Sequence, residues 1–131
     1  MKKIIYLATD HAGFEYKEKV KEILENKFSE NFEVIDCGAE EYNPADDYPD
    51  FISKAAEKIS KNPENSLGII FGGSGQGEAM VANRYKNVRA TVYYGSETEI
   101  LKLSKAHNNA NILSIGARFV KEYDLEEILT I

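Results

Sequence analysis

Short apolar runs alternate with longer amphipathic stretches along the whole chain. The apolar runs have the length and composition of buried strands. Strands are predicted over residues 3–8, 32–38, 67–71, 88–94 and 111–116. The stretches between them repeat apolar side chains at the spacing of one helical face. Helices are predicted over residues 13–28, 48–61, 77–85 and 96–106, and a last helix is predicted to begin near Tyr123.

This regular alternation of strand and helix indicates a parallel sheet that is covered by helices on both faces. We therefore predict that residues 1–131 form a single-domain α/β fold. Its sheet is expected to be five-stranded, parallel and doubly wound, in a three-layer, Rossmann-like arrangement. Ligands bind such sheets beyond the carboxyl ends of the strands. Functional residues are therefore sought in the segments that follow the predicted strands, "TDHAG", "DCGAEEY", "GGSGQGE", "YYGSE" and "IGAR".

Composition and charge narrow the class of protein. The net charge is −6 and no basic stripe interrupts it, so we expect neither nucleic-acid binding nor attachment to an anionic membrane. The N-terminal apolar stretch is ended by Asp10 and His11, which argues against a signal peptide. Cys37 is the one cysteine of the chain and suits a reducing compartment. These features predict a cytoplasmic protein.

A glycine-rich loop, "FGGSGQGEAM" at residues 71–80, follows the third predicted strand. It lacks the lysine and the hydroxyl residue that a P-loop needs after its second glycine. It also fails the dinucleotide fingerprint, because Gly73 and Gly75 are followed by Gly77 and then Glu78. That fingerprint usually follows the first strand of a sheet. No cofactor is therefore predicted.

The remaining interpretation of the loop is an anion cradle, in which successive backbone amides point toward one spot at the start of a helix. Glu78 then has two possible explanations. Its carboxylate could complement the dipole of the following helix. Alternatively, it could act as a general base, since a base that creates an enolate needs hydrogen-bond donors nearby. The spacing of the residues leaves both explanations open.

The two histidines of the chain lie outside the predicted strands. His11 follows Asp10 at the carboxyl end of the first strand, which makes it the more suggestive of the two. His107 lies at the end of a helix, where solvation or an interaction with the helix terminus is the ordinary explanation. Arg118 follows the fifth strand and offers a planar donor fork that suits phosphate.

Other reactive side chains do not form a pattern. Cys37 has no histidine near it in the sequence, so a catalytic role is rejected. Two isolated histidines and one cysteine make no recognisable set of metal ligands, so no metal is predicted. Arg84 and Arg89 are less informative and are expected to be surface charges.

Several segments, taken in order, resemble the ribose-5-phosphate isomerase B family, which includes galactose-6-phosphate and allose-6-phosphate isomerases. The segments are "ATDHAGFEYKEK", "VIDCGAEEYNPADDYPDF", "GGSGQGEAMVANR", "VRATV" and "AHNNANILSIGAR". The resemblance implies a metal-free aldose–ketose isomerase that interconverts ribose 5-phosphate and ribulose 5-phosphate through a cis-enediolate. It also implies a homodimer or a dimer of dimers, with sites built between subunits. The alternatives are a six-carbon sugar phosphate as substrate, or a sugar-phosphate-binding protein without catalytic activity.

The resemblance also implies catalytic roles for particular residues. His107 is expected to assist opening of the furanose ring, and Asp10 to bind the sugar hydroxyls and the ring oxygen. Many family members carry a catalytic cysteine immediately before the glycine loop, where this chain has Gly72. Other members use the glutamate after the loop, and Glu78 matches that position. The developing oxyanion is expected to be held by the backbone amides of Gly73, Ser74, Gly75 and Gly77.

Further residues match substrate-binding positions of the family. His11 and Arg118 are expected to contact the phosphate, Asn108 to bind the substrate, and Tyr48 to lie near the sugar. Family members normally continue past the last helix into an arm whose arginines reach the phosphate site of the neighbouring subunit. The sequence ends at Ile131, so we expect this arm to be absent and phosphate binding to be weak. Each lost charged hydrogen bond is worth roughly 1.5–3 kcal/mol.

Overall fold

Strands and helices alternate in the order that the sequence predicts. A computed structural model describes residues 3–39, 41, 43, 48–95, 98–121 and 125–130. The strands are β1 Lys3–Thr9, β2 Phe32–Asp36, β3 Ser66–Gly72, β4 Ala90–Tyr93 and β5 Ile112–Gly116. The helices are α1 Phe14–Lys27, α2 Tyr48–Lys61, α3 Gln76–Ala82, α4 Glu99–Asn108 and α5 Leu125–Thr130.

The strands form one parallel sheet in the order β2-β1-β3-β5-β4. Side chains of successive strand residues point to opposite faces. Ile5 and Leu7 therefore pack on one face of the sheet with α1, α4 and α5, whereas Tyr6 and Ala8 pack on the other face with α2 and α3. The predicted five-stranded, doubly wound α/β fold is confirmed. No helix among the described residues is both long and apolar enough to cross a membrane.

A buried charge ties the first helix to the end of β2. The Lys17 side chain on α1 is fully buried and its Nζ lies 2.6 Å from Asp36 Oδ2 and 2.5 Å from the Ala39 carbonyl. Two further bonds link this segment to β1, since Thr9 N donates to the Gly38 carbonyl and Ala39 N donates to the Thr9 carbonyl. The loop after β2 is thereby held against the last residue of β1.

Some element boundaries differ from the prediction. The second strand ends at Asp36 rather than 38, because Asp36 Oδ1 accepts a hydrogen bond from Gly38 N and closes a turn. The fourth strand begins at Ala90 rather than 88, because Val88 N bonds back to the Tyr85 carbonyl. The predicted starts of the last two helices, residue 96 and Tyr123, lie outside the described residues.

Candidate active site

The strand order creates a crevice between β1 and β3. The chain leaves β1 toward β2 on one side, and the strands after β3 lie on the other side. In open parallel sheets, ligands bind outside the carboxyl ends of the strands at such a reversal. Asp10 follows β1, residues 73–75 follow β3, and residues 117–118 follow β5, so these segments meet at the same edge.

Asp10 is held by the turn that it begins. It is 7% exposed, and its Oδ1 accepts a hydrogen bond 3.0 Å long from Ala12 N at the start of the 3-10 turn His11–Gly13. The preceding residue, Thr9, donates through Oγ1 to the carbonyls of Asp10 and Phe71, each at 3.0 Å. These bonds join the end of β1 to the end of β3 and fix the carboxylate at the crevice.

Carbonyl groups of the glycine loop accept hydrogen bonds from β5 and from the two residues that follow it. Ala117 N donates to the Gly72 carbonyl at 2.7 Å and Arg118 N to the Gly73 carbonyl at 3.0 Å. Ser114 Oγ, buried in the middle of β5, donates to the Gly75 carbonyl at 2.7 Å. Gly75 has φ +82°, a left-handed conformation that favours glycine.

The amide groups of the same loop keep their donors available. None of the described residues accepts a hydrogen bond from the backbone N–H of Gly73, Ser74 or Gly75. Gly77 lies in the first turn of α3, where an N–H has no partner within the helix. The loop can therefore donate several hydrogen bonds to an anionic oxygen.

Glu78 lies directly against the beginning of this loop. The residue is 6% exposed. A Cβ atom added to Gly72 would lie 2.1 Å from Glu78 Cδ and 2.2 Å from one of its carboxylate oxygens. The carboxyl group therefore occupies the space that a side chain at position 72 would need.

Burial is the main reason why the pKa of Glu78 is raised above the ordinary value of a glutamate. A hydrogen bond from its own backbone N–H opposes this shift, and the charge of nearby Asp10 adds to it. A carboxylate that served only to complement the helix dipole would gain nothing from burial. The geometry therefore favours the general-base explanation over the dipole explanation.

The close contact between Glu78 and Gly72 predicts a coupling between the two positions. Gly72→Ala should destabilise the protein by about 1–3 kcal/mol, because the new methyl group overlaps the carboxyl group. In a Glu78→Ala background the same substitution should cost much less, since the overlap is gone. A double-mutant cycle of unfolding free energies measures this coupling. Equal costs in both backgrounds would contradict the described contact.

A second cleft of about 350 Å³ adjoins the crevice. It is lined by His11, Ala12, Glu15, Tyr16, Ala117 and Arg118. The Arg118 side chain lies over the glycine loop, since a Cβ on Gly73 would be 3.0 Å from its Cζ and Nε atoms. Tyr16 Oη on α1 donates to the Val120 carbonyl at 2.6 Å and steadies the segment that carries Arg118. His11 and Arg118 thus line the same cleft, and their contact with a phosphate group stays a prediction.

His107 and Asn108 lie elsewhere in the chain's fold. They are the last residues of α4, and the parallel strand β5 begins four positions later, so they lie at the amino edge of the sheet. A strand of five residues spans about 17 Å. Both side chains are exposed. Within one chain, therefore, His107 and Asn108 do not join Asp10 and Glu78.

Two other residues considered from the sequence, Cys37 and Tyr48, come after β2 in the chain. Tyr48 is the first residue of α2, and its side chain lies outside the described part of the structure. Cys37 is half-buried, and burial raises the pKa of its thiol, which disfavours the reactive thiolate. Among the described residues, no group of three or more histidine, cysteine or acidic side chains could hold a metal ion.

Two residues that support the site are not evident from motifs. Ser114 and Tyr16 hold the glycine loop and the Arg118 segment through their hydroxyl groups. Ser114 carries a sequence signal, because it interrupts the apolar run "NILSIG" and a buried hydroxyl needs a partner. Tyr16 carries no such signal, because its position on the apolar face of α1 predicts an ordinary core residue.

Comparisons with known proteins identify one family. The profile of the ribose/galactose isomerase family matches residues 5–131. Ribose-5-phosphate isomerase B of Mycolicibacterium paratuberculosis is 42% identical over 114 residues, which are 87% of this chain and 68% of that protein. A probable ribose-5-phosphate isomerase B of Mycoplasma genitalium is 38% identical over 118 residues, 90% of this chain and 74% of that protein.

Solved structures lead to the same family. The crystal structure of Mycoplasma genitalium ribose-5-phosphate isomerase B with bound ribulose 5-phosphate superimposes with a TM-score of 0.89 at 35% identity. The match covers 97% of this chain and 80% of that one. The Clostridium thermocellum enzyme superimposes with a TM-score of 0.86 at 34% identity, covering 97% of this chain and 81% of that one. On its sequence and its fold, the chain belongs to the ribose/galactose isomerase family.

Proposed function

We propose that this protein interconverts ribose 5-phosphate and ribulose 5-phosphate by a metal-free proton transfer. The proposal rests on one observation above all, the buried carboxyl group of Glu78 beside a loop of open backbone amides. A base and a cradle for an oxyanion are the two requirements for moving a proton next to a carbonyl group. The choice of a pentose phosphate as substrate is inferred from the names of the similar proteins.

The proton transfer can be written with Glu78 in both directions. The Glu78 carboxylate takes the proton from C2 of the open-chain aldose. The electron pair left on C2 forms the C1–C2 double bond, and the carbonyl pair moves onto O1. The amides of Gly73, Ser74, Gly75 and Gly77 stabilise that oxyanion. Glu78 then returns the proton to C1, while the proton of the C2 hydroxyl group ends on O1 and C2 becomes the carbonyl.

The phosphate is bound in the adjoining cleft. His11 and Arg118 face this cleft and offer donors of the kind that bind phosphate. The sugar then extends from the cleft across the glycine loop toward Asp10, which binds its hydroxyl groups. Tyr48 follows the loop after β2 and lies near the sugar in this proposal.

Ring opening requires a second copy of the chain. Within one chain His107 and Asn108 are at the amino edge of the sheet, whereas Glu78 is at the carboxyl edge. A two-fold symmetric dimer brings the end of α4 from one subunit to the glycine loop of the other, and forms two such sites. His107 of one subunit then assists opening of the furanose ring in the site of its partner, and Asn108 binds the same substrate.

Exposed apolar side chains support a dimer on this side of the molecule. Tyr94, directly after the edge strand β4, contacts Phe119, with ring centroids 6.1 Å apart, and both residues are more than half exposed. The helices α3 and α4 contact β4 and also expose apolar side chains. These are Met80, Ile100 and Leu103. A second subunit that covers these side chains would remove their apolar area from water, which favours association.

We also propose a cytoplasmic location, since a single thiol suits a reducing compartment.

The test is conversion of ribose 5-phosphate to ribulose 5-phosphate by the purified chain, with and without a chelator, beside galactose 6-phosphate and allose 6-phosphate. Turnover of the pentose phosphate that the chelator leaves unchanged is expected. Faster turnover of a six-carbon sugar phosphate would show that it, and not the pentose phosphate, is the substrate. The family includes galactose isomerases, which raises this alternative. Binding of all three sugars without turnover would leave a sugar-phosphate-binding protein.

The raised pKa of Glu78 predicts the acid limb of the pH–rate profile. Glu78 acts as the carboxylate, so kcat/KM should fall as the pH drops through the raised pKa, at a higher pH than for an ordinary glutamate. Because the Asp10 charge contributes to this shift, the residual activity of Asp10→Asn should have its acid limb at lower pH. An acid limb at the ordinary value of a glutamate, unmoved in Asp10→Asn, would contradict the assignment.

A further inference from the structure

The turn that carries His107 and Asn108 is built from a helix end and a left-handed residue. Asn109 follows α4 with φ 49°. The N–H groups of Asn109 and Ala110 both donate to the Ser104 carbonyl, which closes the last turn of the helix. His107 and Asn108 make no side-chain hydrogen bond to any residue that the structure describes. Their placement therefore depends on what holds the backbone of this turn.

Arg89, in the loop between α3 and β4, holds the backbone of this turn by hydrogen bonds. Its Nε donates to the Asn109 carbonyl at 2.6 Å, and its Nη1 lies 3.4 Å from the Asn87 carbonyl. A planar guanidinium group with two engaged nitrogens fixes direction as well as distance. The carbonyl of Asn109 is two residues from His107, so a shift of this anchor would move the ring.

The side chain of Asn111 completes the connection. Its Oδ1 accepts from Arg89 N at 2.8 Å and its Nδ2 donates to the Asn87 carbonyl at 2.8 Å. Asn111 N in turn donates to the Arg89 carbonyl at 2.9 Å. Asn111 is 6% exposed, so its amide is committed to these partners. Hydrogen bonds thus join segments 87–89 and 109–111 at the amino ends of the strands.

We propose that Arg89 is a positioning residue for His107 and Asn108 and that it acts on the partner's active site rather than on its own. The inference rests on the proposed function, in which the end of α4 serves the neighbouring subunit. Arg89 touches neither the glycine loop nor Glu78, which lie at the opposite edge of the sheet. The sequence predicts Arg89 to be a surface charge. In this proposal it instead orients the imidazole ring of His107 relative to the sugar.

The size of the effect follows from geometry. Misplacement of a catalytic group by about 1 Å can lower a rate by about a hundredfold. Arg89→Gln removes the bond to the Asn109 carbonyl and is expected to lower kcat/KM by roughly tenfold to a hundredfold. Arg89→Lys keeps one donor and should lose less. Arg84→Gln is the matched control, since this exposed arginine lies five residues earlier in the same region.

The decisive experiment uses dimers of two different variants, co-expressed with two affinity tags and purified through both. In a heterodimer of Arg89→Gln with Glu78→Gln, one site combines an intact Glu78 with an intact α4 end. This heterodimer should have about half the activity of the wild-type dimer, because one of two sites is intact. A heterodimer of Arg89→Gln with His107→Ala should stay low, because both of its sites have a damaged α4 end.

The outcomes separate this inference from the proposed function. Half activity for Glu78→Gln with His107→Ala, but none gained for Glu78→Gln with Arg89→Gln, would overturn the role of Arg89 and leave the two-chain site standing. Failure of both pairs would reject the two-chain site and the inference together. A general loss of folding in Arg89→Gln would lower both of its heterodimers alike, and full activity of that homodimer would also overturn the inference. Where Arg89→Gln does not fold, Arg89→Lys is carried through the same pairings.

Discussion

Replacement of Glu78 by glutamine is expected to lower kcat by about 10²–10⁴-fold, the range that a general base contributes. Glutamine has nearly the same shape and fills the same space against Gly72. It cannot accept the proton from C2. Binding of the sugar phosphate should change little, because the cleft of His11 and Arg118 is untouched. Steady-state kinetics with ribose 5-phosphate measures kcat and KM separately and tests both statements.

A matched control distinguishes a base from a carboxylate that complements a helix dipole. Glu99 occupies the first turn of α4 as Glu78 occupies the first turn of α3. Glu99→Gln should retain turnover, because a dipole interaction is worth only about 0.3–1 kcal/mol of stability. Similar losses in the two variants would remove the argument that Glu78 is special.

Stability offers a test of Glu78→Gln that does not depend on activity. The pKa of Glu78 is raised in the folded protein, so folding favours the protonated carboxyl group. That contribution to stability is complete below the unfolded pKa and is lost as the pH rises through the folded pKa. Glutamine has no charge to bury. The melting temperature of Glu78→Gln should therefore exceed that of the wild type increasingly as the pH rises toward neutrality, and the gain should vanish in acid.

The sheet could be predicted from the sequence because its signals are local. Each strand is a short apolar run, and each long helix repeats apolar residues on one face, so the order of elements and the parallel sheet follow. The boundaries followed less well. The turn at Asp36 and the turn before Ala90 depend on single hydrogen bonds that an apolar pattern does not encode.

The active site could be predicted in part. The loop and Glu78 are adjacent in sequence, so their meeting was foreseeable, but two explanations of the carboxylate remained open. Burial against the Cα of Gly72 favours the base, and burial depends on how α3 packs over the sheet. The same contact gives a physical reason why a side chain at position 72 and a carboxylate at 78 are alternatives, since both need one space.

Contacts between distant segments were beyond sequence reasoning. Tyr16 reaches the Val120 carbonyl and Arg89 reaches the Asn109 carbonyl, and neither pairing has a motif. The separation of His107 from Glu78, in contrast, follows from topology alone. A helix that precedes a parallel strand ends at the amino edge of the sheet, whereas the glycine loop follows a strand and lies at the carboxyl edge.

A heterodimer of Glu78→Gln with His107→Ala is expected to recover about half of the wild-type activity, although each parent homodimer is nearly inactive. One of its sites receives both substitutions. The other combines Glu78 of the His107→Ala chain with His107 of the Glu78→Gln chain and is intact. The heterodimer is purified through two affinity tags and assayed with ribose 5-phosphate.

This recovery is expected only if each active site combines Glu78 of one subunit with His107 of the other. If both residues served one site within a single chain, every site of the heterodimer would carry one defect, and its activity would stay near that of the parents. The KM of the recovered activity sharpens the test, because an intact site should have the wild-type KM. Phe119→Glu places a charge among the exposed apolar side chains and should weaken the dimer. Its activity should then fall as the protein is diluted, which links the loss of turnover to the loss of the second subunit.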